Sequence, residues 1–208
     1  MTVKNDEANS AATKINISSV DFPGLLRVVT WVLNGLELVV VEAELSTVDG
    51  MASQELYVTD LSGNQIEDTK FLGERISQFV QHCVPDEEAL KAKKFVEGNI
   101  VIDNEESDNF SVISIDSGNK DCTGFLLSIA SAIAALGINV HSAKICTECE
   151  QFAHKREGGN GRYFRFLVHK IGGKKLDYVD ASAALFTLNL ILQSNSQRST
   201  PIHASRIH

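Results

Sequence analysis

The sequence predicts an α+β protein: two ferredoxin-like (βαββαβ) units in tandem, each an antiparallel sheet with its helices on one face. Two observations predict it. Shifting the chain by 100 residues lays Asp21-Phe22-Pro23-Gly24-Leu25-Leu26 over Asp121-Cys122-Thr123-Gly124-Phe125-Leu126, and the match continues through Leu36/Leu136, Val40/Val140, Ala43/Ala143 and Thr47/Thr147. A repeat of that length is a duplicated domain, since solenoid repeats run to roughly 20–45 residues. Within each copy the order is strand, Asp-x-x-Gly turn, amphipathic helix, strand, returning strand, helix, an order that buries one sheet face under two helices as a split βαβ unit does. The right-handed crossover rule fixes the hand of the first connection.

In the first copy, Lys14 to Ser19 alternates, with Ile15 and Ile17 on one face of a half-buried strand. From Leu25 to Leu36 the residues Leu25, Leu26, Val28, Val29, Val32, Leu33 and Leu36 fall on one arc at about 100° per residue, with Arg27, Thr30 and Asn34 opposite. Trp31 lies just beyond that arc, at a domain or subunit contact or in ordinary edge packing. Leu38 to Thr47 reads as a strand, Asp49-Gly50 as a hairpin turn and Ser53 to Thr59 as the returning strand. Asp68 then caps a helix running to about Cys83, with Phe71, Leu72, Ile76, Phe79 and Val80 facing in.

The second copy repeats the plan: a strand from Phe110, a turn at Asp121, a helix over Phe125–Leu136 and a strand over Ile138–Thr147. Its returning strand, Tyr163 to Lys170, matches only after a shift of 110 residues, so the hairpin has gained ten, including the tight-turn pair Asn160-Gly161. Asp177 opens the last helix, which runs to about Gln193. The expected division is a flexible N-terminus 1–12, a first unit 13–84, an acidic linker 85–109, a second unit 110–193 and a flexible tail 194–208. Inside the linker, Ile100-Val101-Ile102 offers a fourth strand to the first unit.

At 208 residues and 43% hydrophobic content, each unit is long enough to bury a core. The net charge of −8 is divided unevenly: residues 1–108 hold 20 acidic and 8 basic side chains (−12), and 109–208 hold 7 and 11 (+4). The acidic half repels phosphate, which argues against nucleic acid as a general partner. With no long apolar run and no basic-then-apolar leader in Met1–Ala12, a soluble intracellular protein off the membrane is expected, in cytoplasm or, after loss of a transit peptide, in plastid stroma. Four cysteines without dense spacing are expected to be free thiols.

The Asp-Phe-Pro-Gly-Leu-Leu turn, the helix after it and the strand Leu38 to Thr47 closed by Val48-Asp49-Gly50 together resemble an ACT domain. Two such units cover most of the chain, and Tyr57-Val58-Thr59-Asp60 through Gly63 is similar to the ACT-repeat proteins of plants and algae, whose units in turn resemble those of bacterial uridylyltransferases. The resemblance implies a regulatory protein, not an enzyme, that senses a small amino acid, acts on a partner enzyme of amino-acid or nitrogen metabolism, needs no cofactor and can pair as a homodimer. It also implies a ligand site between the turn after strand one and the start of strand two. In the first copy that turn is Asp21, Phe22, Pro23, Gly24 and Leu25; in the second it is Asp121, Cys122, Thr123, Gly124 and Phe125. Glycine lets the backbone approach a small ligand, and amides at a helix start suit its carboxylate. Asp21 or Asp121 either accepts from the ammonium group or caps its helix. Asn139, able to donate and accept, favours the second site and leaves the first as a degenerate copy.

Three other features remain. Cys146-Thr147-Glu148-Cys149 is a lone C-x-x-C near His154 and His169, but residues three apart on a strand point to opposite faces about 10 Å apart, so no disulfide and no metal site is expected there. Lys155, Arg156, Arg162 and Arg165 concentrate basic charge on the inserted hairpin, a candidate contact for an acidic partner or else a solvated turn. His141 is read as a partly buried strand residue.

Overall fold

Two core-facing alternations build the first sheet. Thr13, Ile15 and Ile17 are buried on β2 (Thr13–Val20), and Ala52, Gln54, Leu56 and Val58 on β4 (Met51–Thr59), while Lys14, Asn16, Glu55 and Tyr57 between them face the other way. The computed structural model describes residues 1–5, 12–118, 123–146 and 162–198. It divides into two units, Met1–Asp86 and Glu87–His208.

In the first unit the strand order is β1-β2-β4-β3, all pairs antiparallel, with β1 at Thr2–Asn5 and β3 at Val39–Val48. β4 lies between β2 and β3, which are joined by helix α1 (Leu25–Gly35), and this is the split βαβ arrangement. Helix α2 (Thr69–His82) packs beside α1 and buries Leu72, Ile76, Phe79 and Val80. Phe71, read as inward, is 49% exposed, one residue off the buried stripe. Asp49 and Gly50 both take positive φ (50° and 74°), the turn whose twist matches a two-residue hairpin, and this sets Val48 opposite Met51.

The second unit repeats the arrangement with one strand more. Its order is β5-β6-β7-β9-β8, from β5 (Lys94–Glu97), β6 (Ile100–Asp103), β7 (Ser111–Asp116), β8 (Ile138–Cys146) and β9 (Tyr163–Lys170). Helices α4 (Phe125–Ala135) and α5 (Tyr178–Arg198) pack against each other, and the short α3 (Glu87–Lys91) precedes β5.

Four expectations change. The fourth strand comes before the core of each unit instead of after it, giving ββαββα in the first: β1 pairs with β2, and β6 pairs with β7. Ile100-Val101-Ile102 therefore belongs to the second sheet, where Ile100 and Ile102 are wholly buried, and not to the first. Residues 2–5 of the supposed flexible N-terminus form an edge strand, seated where a Cβ on helical Gly73 would lie 3.4 Å from Val3 Cγ2. The last helix continues through Ser194 to Arg198, five residues into the supposed tail, because Leu188 and Leu192 hold one face in the core and no Gly or Pro intervenes before Pro201.

Candidate functional site

Phe22-Pro23-Gly24-Leu25 forms the turn that starts α1. Proline presets the second position, Gly24 takes φ 99° and ψ 1° at the third, and the Leu25 amide donates to the Phe22 carbonyl at 3.0 Å, the geometry of a type II turn. An L side chain at Gly24 would be strained there. Because Gly24 occupies the cap position, Asp21 stands three residues ahead of the cap and does not cap the helix; no side chain does. The reading of Asp21 as a cap is thereby corrected. Its carboxylate accepts instead from Thr47 Oγ1 at 3.2 Å, and its amide donates to the Gly50 carbonyl at 2.9 Å.

This turn, β3 and β4 border an open cavity of about 330 Å³. Asp21, Phe22, Gly24, Leu25 and Leu26 line it from the turn and helix, Leu45, Ser46 and Thr47 from β3, and Ala52 and Gln54 from β4; Pro23 does not reach it. The hairpin register pairs Thr47 with Ala52 and Leu45 with Gln54, so both strands present the same level to the cavity. Leu26, assigned to the buried arc, is 48% exposed because it faces this opening. The arrangement offers a carboxylate on one wall, an uncapped helix start with positive dipole on another and an apolar floor, the complement of a small zwitterion.

A second cavity of about 350 Å³ sits at the other end of the unit, lined among others by Asp60, Asp68 and Phe71. Two of its three carboxylates, those of Asp60 and Asp68, are already taken. Asp60 Oδ1 accepts from the amides of Asn64 (2.7 Å) and Ser62 (2.9 Å), bonds that hold its pKa below the ordinary carboxylate range, and Asp68 Oδ1 caps α2 by accepting from Phe71 N at 2.8 Å.

In the second unit Gly124 repeats the left-handed cap (φ 87°, ψ −5°) before Phe125, again without a capping side chain, and Thr123 precedes it; Asp121 and Cys122 lie outside the described residues. A Cβ on Gly124 would meet nothing within 4 Å, and the left-handed backbone alone strains any L side chain there. Asn139 is not at that turn. It opens β8 opposite His169, seven residues before Cys146 at the strand's far end, a separation of about 23 Å at 3.3 Å per residue. The preference for the second site on account of Asn139 loses its geometric ground within the unit.

The basic hairpin is only partly described: Lys155 and Arg156 lie outside, Arg165 Nη2 is bound to Glu106 Oε1 at 2.6 Å, and the Arg162 guanidinium lies 5.4 Å from the Phe164 ring centroid. His141 is exposed, not partly buried, and stacks on Phe110 with centroids 4.3 Å apart. Trp31 carries the Arg27 guanidinium 4.8 Å from its ring centroid. Cys83 is a free, buried thiol whose pKa desolvation pushes up to about 12. Cys146 is disulfide-bonded, against the expectation of four free thiols. The objection to a bridge assumed strand geometry beyond Cys146, where β8 ends. Among the described residues no group of three or more His, Cys, Asp or Glu side chains is placed to hold a metal, and no helix is long and apolar enough to cross a membrane.

Leu45, Thr47 and Gln54 line the cavity without having been singled out. The signal was available: a two-residue loop at Asp49-Gly50 fixes the register, and Gln54 is the one polar residue in the inward series Ala52, Gln54, Leu56, Val58.

About two thirds of the chain is similar to known proteins. The chain is 27% identical over 142 residues to the ACT domain-containing protein ACR3 of Arabidopsis thaliana, covering 68% of this chain and 30% of that protein. This chain is a relative of the ACT-domain proteins. It is also 27% identical over 154 residues to a bifunctional uridylyltransferase/uridylyl-removing enzyme of Ruegeria pomeroyi, covering 67% of this chain and 16% of the enzyme. It thus spans less than a third of either relative. No protein-family model matches the chain. Among solved structures, the regulatory subunit of aspartate kinase from Thermus thermophilus is similar at 13% identity and a TM-score of 0.29, covering 88% of this chain and 93% of that one. So low a TM-score adds nothing to the fold assignment; strand order and the split βαβ units make these ACT-like units ferredoxin-like.

Proposed function

We propose that the first ACT-like unit binds a small amino acid in the cavity beside the Gly24 turn, and that the protein is regulatory, not catalytic. The observation that carries this reading is the uncapped start of α1 facing Asp21 within one 330 Å³ cavity. The ligand's carboxylate meets the first-turn amides and its ammonium group meets Asp21, each a charge-assisted pairing. Asp121, Cys122, Thr123, Gly124 and Phe125 correspond in sequence to that turn and are a second candidate site. Resemblance to ACR3 and to the uridylyltransferase supports a role in amino-acid or nitrogen metabolism, exerted on a partner enzyme. The hairpin cations Arg156 and Arg162 are the proposed contact for that partner.

Calorimetry of the full chain against the twenty amino acids tests the reading. Binding of at least one, weakened about tenfold or more in Asp21→Ala, is expected; no binding to any would overturn it. β3 favours the alternative of a pure interaction subunit with vestigial sites, because all ten of its residues are exposed at the sheet edge. Concentration-dependent self-association with no amino acid bound would select that alternative.

A further inference from the structure

Gln54 is buried to all but 5% of its surface, and its Oε1 has no hydrogen-bond partner. A buried acceptor left without a donor is destabilising, and nearly all such groups in folded proteins are satisfied. Here the position is otherwise an apolar one, between Ala52 and Leu56 on β4 and opposite Leu45 on β3. The side chain lines the cavity beside the Gly24 turn. Oε1 itself has no exposed surface, and a turn of the terminal amide presents this unpaired acceptor to a donor carried by the occupant.

We infer that Gln54 reads the ligand's side chain, so that the site selects amino acids whose side chains donate a hydrogen bond, hydroxyl or carboxamide, over aliphatic and acidic ones of equal size. The inference rests on the amino-acid reading above. The ammonium group is claimed by Asp21, because a carboxylate is the stronger partner for a cation. Asp21 reaches Thr47, which is level with Ala52; Gln54 stands two residues further along β4, about 7 Å down the sheet. A ligand held at its ammonium and carboxylate by the turn and helix start therefore directs its side chain down the sheet toward Gln54. A site with an unpaired acceptor discriminates strongly against ligands lacking the donor, because their binding seals it away from any donor.

Calorimetry with size-matched pairs tests this on the full chain: threonine against valine, and asparagine against leucine and aspartate. The wild type should prefer threonine and asparagine by about tenfold or more. Gln54→Met, similar in length and lacking the acceptor, should bind with that preference abolished and should melt higher than the wild type without ligand. Should Gln54→Met fail to fold, Gln54→Glu keeps an acceptor at the same reach and should keep the preference for donors over aspartate. Equal wild-type affinities within each pair, or a preference for aspartate, would overturn the assignment while leaving the amino-acid site intact. A Gln54→Met that weakens all amino acids alike, with its selectivity unchanged, would also overturn it by placing Gln54 on the part common to every ligand. Absence of any binding to the wild type would overturn both readings.

Discussion

Two helices of the first unit begin in opposite ways. α2 starts at Asp68, whose carboxylate accepts from the Phe71 amide at 2.8 Å and closes the helix end with the chain's own atoms. α1 starts at Gly24, in a left-handed conformation with no side chain over its first turn, and the nearest carboxylate, Asp21, is turned to Thr47 across a cavity. The two ends carry the same backbone dipole. One carries a side-chain cap and the other does not, so the Asp-x-x-Gly repeat marks helix starts without a side-chain cap, whereas the unrepeated Asp68 marks an ordinary capped one.

This contrast makes the consequences of substitution separable. Asp21→Ala should weaken amino-acid binding about ten- to a hundredfold through loss of a charged hydrogen bond, with the melting temperature nearly unchanged; calorimetry and a thermal melt of one sample decide it. Gly24→Ala should cost about 1–2 kcal/mol of stability by forcing a Cβ into left-handed geometry, read from urea midpoints. Asp68→Ala should cost about 1 kcal/mol as a lost N-cap and leave binding untouched. If Asp68→Ala impaired binding as much as Asp21→Ala, the distinction between the two helix starts would collapse.

The smallest effect concerns a third helix start. Asp177 and Asp180 bond each other's amides at 3.0 Å at the start of α5, and both carboxylates contact Lys170 Nζ. Burial pushes the Asp177 pKa up, but Lys170 and the Asp180 amide outweigh it and bring it down to about 2. A depressed folded-state pKa gives stability that is fully present above the ordinary value near 3.8 and is lost as pH falls through 2. Acid unfolding should therefore show a component between about pH 4 and pH 2 that Asp177→Asn removes. Solvent screening at this half-exposed carboxylate keeps it small.

The central elements were legible because periodicity is strong where a face is buried. Ile15 and Ile17, the α1 arc and the Asp49-Gly50 turn each point to one structure, and each is found. The edges were not. Thr2–Asn5 has one apolar side chain in four residues, too short for an alternation to register, and pairing with β2 decides its conformation. Ile100–Asp103 was legible as a strand but not in its sheet, since the seven residues up to Phe110 look like a linker. They are tied down by contacts remote in sequence, with Lys175 Nζ donating to the Asn104 and Ser107 carbonyls. The site was half legible. The turn declared itself through its repeat, whereas Gln54 is one polar residue in an apolar series, and only its lack of a partner gives it meaning. Asn139 was chosen because its side chain both donates and accepts, and residue chemistry alone does not tell which end of a strand a residue occupies.

Each unit completes its sheet with a strand that precedes its own core, β1 in the first and β6 in the second. During synthesis the order of emergence follows from this. When α2 leaves the ribosome, every strand of the first sheet has already been made, and no residue after Asp86 is needed for its ladders. A βαββαβ order would hold the central strand's edge open until its last strand arrived. Here the chain grows past a finished module, and the seam between Asp86 and Glu87 is a natural place to divide the protein for expressing either half alone.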